Sequence, residues 1–147
     1  MRVNDIKEFF KPISFICIIR NPYAQCEGII RRTGESAEFA AKFALKCLQY
    51  QKSNIETEKN LLFFTYEELC ENRKQVVKTI ISFIPELKDI KSEQKFTAHN
   101  FKTKDGMEIT NLNTEKISKL TKEQLNEINN HFKKEEELLK YFNYTII

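Results

Sequence analysis

The sequence predicts an α/β domain built on a short parallel sheet flanked by helices. Two runs carry that expectation. Residues 13–19 (ISFICII) and 61–66 (LLFFTY) are short, apolar and rich in branched or aromatic side chains, as suits strands buried on both faces. Each is followed by signals for a helix start, and longer segments with apolar residues at three- and four-residue steps lie between and after them. Strand, helix, strand, helix is the order of a parallel sheet joined by right-handed crossovers.

The chain of 147 residues is one domain's worth, residues 1–147, with 41% hydrophobic and 31% charged residues, enough to bury a core. Three Gly and three Pro argue against an all-β or disordered chain. The formal charge of +3 is mild, and no base-reading motif accompanies it, so nucleic acid is not an expected partner. Cys17, Cys26, Cys47 and Cys70 match no zinc or redox spacing. They read as reduced, mostly buried thiols of a cytoplasmic protein. No apolar run reaches transmembrane length, and the N-terminus has no signal-peptide plan.

Taken in order, residues 1–12 form a short amphipathic start with Ile6, Phe9 and Phe10 available for burial, ended by Pro12. After the first strand, Asn21 is a preferred N-cap and Pro22 a preferred first helical residue, so a helix starts at Pro22. Gly34 is its natural C-cap. Ser36 then caps a long helix whose Phe39, Ala40, Phe43, Ala44, Cys47 and Leu48 make one apolar stripe for the core. After the second strand, Glu67 and Glu68 suit a first helical turn. The helix carrying Val76, Val77, Ile80, Ile81 and Ile84 stops at Pro85. Residues 91–113 are polar and without a period, with Gly106 near the middle. The lysines there, Lys95, Lys102 and Lys104, either reach over an anion or lie solvated. Thr121 and Gln124 form a capping box, and Leu125, Ile128, Phe132, Leu139 and Phe142 give the last helix its buried stripe.

Ligands of parallel sheets bind beyond the carboxyl ends of the strands, and Arg20 and Tyr66 occupy those ends. A strand feeding a helix N-terminus favours anions through free N–H groups and the helix dipole. Arg20 stands at that junction with a fork suited to phosphate, and the helix adds Arg31 and Arg32. Arg20 either grips an anion or pairs with a nearby carboxylate. Tyr66 is either a ligand contact or a core tyrosine with its hydroxyl tied locally.

Three segments, in order, resemble the sulfotransferases that use PAPS (3′-phosphoadenosine 5′-phosphosulfate). Arg20-Asn21-Pro22-Tyr23 after a strand resembles the family's 3′-phosphate-binding segment. LLFFTYEEL, residues 61–69, resembles its strand ending in Tyr-Glu-Asp/Glu-Leu, and the following helix runs on to Pro85-Glu86-Leu87. ITNLN at 109–113, a capped helix and LLKYFNY at 138–144 resemble the C-terminal finish of many bacterial members. The resemblance implies a partial P-loop-type three-layer fold. It also implies sulfuryl transfer from PAPS, as co-substrate and without a metal, to a hydroxyl or amine acceptor that the sequence does not identify.

Residue by residue, the resemblance puts Arg20 on the 3′-phosphate and Tyr66 beside the adenine. The family's serine eight residues after the arginine falls on Gly28, which has no hydroxyl. Arg31, Arg32 or the helix N-terminus would then supply the second half of the grip. The family's late basic-Gly segment has a loose counterpart in Lys104-Asp105-Gly106. The family's phosphate loop with its catalytic Lys, and its catalytic base, have no counterpart before Ile13, so no catalytic residue is assigned. The chain is therefore expected to correspond to the C-terminal portion of a sulfotransferase, incomplete on its own, and to self-associate or take an N-terminal partner chain. The other expectation is a non-catalytic nucleotide-phosphate-binding or interaction module on the same fold.

Overall fold

A computed structural model describes residues 6–7, 9–93, 95 and 108–147. Two strands, β1 (Phe15–Ile19) and β2 (Leu61–Thr65), pair in parallel with Phe15 opposite Leu61 and Ile19 opposite Thr65. Two helices make the crossover. The first, α1 (Pro22–Thr33), begins where Asn21 accepts the N–H groups of Tyr23 at 2.9 Å and Ala24 at 3.5 Å. It ends at Gly34, whose φ of 73° is the left-handed conformation that glycine adopts without a Cβ clash. The second, α2 (Ala37–Thr57), starts on a hydrogen bond from Phe39 N–H to Ser36 Oγ.

After β2, the Thr65 side chain and Glu68 close a capping box on α3 (Tyr66–Glu71). Next come α4 (Arg73–Phe83), a 3₁₀ turn at Pro85–Leu87, and α5 (Asn113–Ile117). The predicted box of Thr121 and Gln124 starts α6 (Lys122–Phe132), and α7 (Glu136–Tyr141) closes the described fold. The molecule is thus mixed α/β, with a two-stranded parallel sheet flanked by helices.

The core sits on one side of that sheet. Tyr23 and Cys26 of α1, Ala40, Ala44 and Leu48 of α2, Ile128 and Phe132 of α6, and Leu139 after them join Cys17 and Ile19 in one cluster. The Tyr23 ring meets Phe132 edge-on at 4.9 Å, and its hydroxyl donates to Asn129, so the ring is buried without stranding its polar tip. Burial of the thiols pushes the Cys17 pKa up to about 11 and that of Cys26 up to about 12. A second, smaller cluster of Phe64, Val76 and Ile80 forms where α4 lies over the other face of β2.

Four sequence expectations need correction. Strand β1 is not buried on both faces: Ile16 and Ile18 are 39% and 49% exposed, because α4 covers β2 and does not extend over β1. The buried stripe of α2 is Ala40, Ala41, Ala44, Leu45 and Leu48. Small residues let α1 approach closely, and the Phe39 and Phe43 rings stack on each other outside, each nearly half exposed. The last helix is broken by a 3₁₀ turn at Lys133–Glu135. Phe9 and Phe10, expected to be available for burial, are exposed. No helix among the described residues is long and apolar enough to cross a membrane.

Candidate functional site

The chain leaves β1 at Ile19 and enters α1 at Pro22, so Arg20 is fixed at the carboxyl end of the sheet. Its Nε donates to Asn113 Oδ1 at 2.7 Å, and its guanidinium lies 4.4 Å from the centre of the Tyr66 ring, a cation–π contact. These two contacts hold the fork in place. Its Nη2 is buried and has no hydrogen-bond partner among the described residues. A charged donor left unpaired in a buried position is costly.

Glu67 organises the surroundings. One carboxylate oxygen accepts from the Asn21 main chain at 3.0 Å and from the Asn113 amide, and the other accepts from the Tyr144 hydroxyl at 3.0 Å. One side chain thereby ties the start of α1, the start of α5 and the C-terminal segment together. Burial first, and the Glu67 charge second, raise the Tyr144 pKa well above the usual phenol value. Tyr66 donates to the Thr110 carbonyl at 2.5 Å and accepts from Leu112 N–H at 3.4 Å.

Beside this junction lies a cleft of about 450 Å³, lined by Ile18, Arg20, Gly28, Arg31, Arg32, Cys47, Gln51 and Lys116 among others. The structure brings Arg20, Gly28, Arg31 and Arg32 together on one cavity. Tyr66 is not part of the lining; it backs Arg20. Lys104, with Lys102 and His99, lies outside the described residues. Lys95 is exposed. The Gly28 backbone is helical, and a Cβ there would meet only Arg32 Nη2 at 3.9 Å, an ordinary contact, so the position has room for a hydroxyl side chain.

The cleft is not purely cationic. Glu27, buried on α1, accepts from Arg31 Nε at 2.8 Å, and its other oxygen lies 3.8 Å from Lys116 Nζ with no hydrogen bond among the described residues. Arg32 Nε donates to the Gly28 carbonyl at 2.9 Å. Four cationic side chains thus face one carboxylate, and Arg20 and Arg32 are the two that Glu27 does not engage. The walls suit an anion smaller than the cavity.

The sequence reading missed Lys116, Glu27, Glu67 and Asn113. Glu67 was visible only as a first-turn acid, and Asn113 only as the end of a polar stretch. Asn113 sits at the start of a short helix with 7% of its surface exposed. No local spacing encodes a contact with Arg20, 93 residues away. Among the described residues no group of three or more His, Cys, Asp or Glu side chains is placed to hold a metal. His131 faces Glu127 within α6 and takes no part in the cleft. Compared with known proteins, the chain matches no family model, no curated protein and no solved structure.

Proposed function

We propose that this protein is a nucleotide-phosphate-binding unit of the PAPS-dependent sulfotransferase type, and that its cleft takes the 3′-phosphate side of PAPS or its product PAP. The observation that carries the reading is the buried Nη2 of Arg20, without a partner among the described residues, at the carboxyl end of β1 and beside a cleft shared with Arg31, Arg32 and Lys116. A phosphate oxygen would satisfy that donor; the first N–H groups of α1, those of Tyr23 and Ala24, are already taken by the Asn21 side chain, so the grip would rest on side chains and not on the helix N-terminus. Arg32 and Lys116 would supply the contacts that a hydroxyl at position 28 would otherwise make. The short sheet would belong to a P-loop-type three-layer arrangement, with nucleotide beyond its carboxyl edge.

PAPS supplies the sulfuryl group when bound. The residues of this chain would hold the leaving nucleotide in place and offset the charge that develops on it. The acceptor would be a hydroxyl or an amine. No side chain here is assigned to the acceptor proton. Four cysteines without disulfides favour a cytoplasmic setting for this reading.

Calorimetric titration of the protein with PAP tests it. The expected result is saturable one-to-one binding that weakens at least tenfold in Arg20→Ala and about threefold in Arg32→Ala, with both variants shown to be folded. Absence of binding by the folded wild-type protein would overturn the reading.

The exposed Ile16 and Ile18 favour a second reading, an interaction module.

A further inference from the structure

Among the described residues, strand β1 has one edge that no other strand pairs. Phe15 N–H bonds to the Asn60 carbonyl at 3.0 Å, so the ladder alternation directs the main-chain groups of Phe15, Cys17 and Ile19 toward β2. The N–H and C=O groups of Ile16 and Ile18 therefore point to the opposite edge, where no strand pairs among the described residues. Neither Pro nor a charged residue interrupts the five residues of this edge, although edge strands are commonly blunted by such residues. The Ile16 and Ile18 side chains are also the exposed ones.

What borders the edge is equally informative. Ile18 shares the basic cleft with Cys47 of α2, and Phe43 and Phe39 lie one and two turns before Cys47 on the same helix face. Both rings are nearly half exposed. Arg31 and Arg32, both exposed, line the same cleft as Ile18. Ile18 of the edge thus shares one cleft with Arg31 and Arg32, and the α2 helix that supplies Cys47 to that cleft carries Phe43 one turn away.

We propose that the free edge of β1 is a docking site for one extended strand of a partner protein, apolar along the edge and carrying carboxylates where it reaches Arg31 and Arg32. Main-chain bonds to Ile16 and Ile18 would give the register, the isoleucines and Phe43 the apolar contact, and the arginine pair the choice of an acidic segment. Such a strand would compete with a nucleotide phosphate for Arg32. The proposal does not depend on nucleotide binding.

The probe is a synthetic peptide, Thr-Val-Thr-Val-Thr-Val-Asp-Asp, capped at both ends, with two controls: one ending in Lys-Lys and one with proline for the central valine. Amide hydrogen exchange is followed by NMR on the full chain. Without peptide, Ile16 and Ile18 should exchange at least tenfold faster than Cys17 and Ile19. Millimolar acidic peptide should slow Ile16 and Ile18 at least fivefold, while the proline and lysine controls do not, and Ile18→Lys should abolish the effect with the fold intact. Unchanged exchange with the acidic peptide, or equal protection by the lysine control, would overturn the proposal. Protection that instead grows with protein concentration alone would assign the edge to a second copy of this chain and overturn it too.

Discussion

The two faces of the sheet are built unequally. On one face Cys17, Ile19, Leu61 and Phe63 join a cluster that draws on α1, α2, α6 and the C-terminal segment. On the other, Leu62 and Phe64 meet Val76 and Ile80 of α4, and Ile16 and Ile18 are left open. The difference teaches that burial on a sheet is set by what packs against each strand: the sealed face fixes the carboxyl end of β1, and the other face is covered over β2 alone.

The largest expected effect lies on the sealed face. Phe132→Ala, which empties a fully buried site against Tyr23, should cost about 3–5 kcal/mol in urea denaturation. Ile80→Ala, in the smaller cluster of three buried residues, should cost about 2 kcal/mol. Equal losses would mean that the two clusters are one cooperative core.

The junction between the faces comes next. Glu67→Ala would leave the Asn21 N–H, the Asn113 amide and the Tyr144 hydroxyl without their acceptor. The expected loss is about 3 kcal/mol, with Tyr144→Phe costing about 1 kcal/mol. A Glu67→Ala protein as stable as wild type would show that the carboxylate does not tie these segments.

Alkaline pH provides a smaller, one-sided probe. The Cys26 thiol has its pKa raised from 9.0 to about 12 in the folded state by burial. Its contribution is therefore fully present below about pH 9. It is lost as pH rises toward about 12, because the unfolded chain ionises first. Stability should fall by on the order of 1 kcal/mol between pH 8 and 10, and Cys26→Ala should flatten that slope. The smallest effect is expected at the cleft. Gly28→Ser should stabilise α1 by a few tenths of a kcal/mol, and it should strengthen PAP binding by adding a hydroxyl where there is space.

Much of the fold was legible where local chemistry decides it. Asn21-Pro22, Gly34, Ser36, Thr121 with Gln124, and the stop at Pro85 all act within a few residues, and the helix bounds follow them. Burial was less legible because it depends on what packs against an element. Nothing in FICII says that α4 will cover only its neighbour, and nothing in the α2 periodicity separates Ala40 from Phe39 until α1 is laid against it. The cleft was half legible. Arg20, Gly28, Arg31 and Arg32 follow from one strand–helix junction, whereas Lys116 and the buried Glu27 facing it are joined across 89 residues of chain.

The most direct measurement is a pair of calorimetric titrations, one with PAP and one with 5′-AMP, which lacks the 3′-phosphate, on wild-type protein and on Arg20→Lys. A lysine keeps the charge at the end of β1 but lacks the planar fork that meets Asn113 and leaves Nη2 free. Wild-type protein is expected to prefer PAP to 5′-AMP by at least tenfold, and Arg20→Lys to lose most of that preference while remaining folded. Equal affinity for the two nucleotides, or a preference that Arg20→Lys leaves intact, would contradict the assignment of the 3′-phosphate to this cleft.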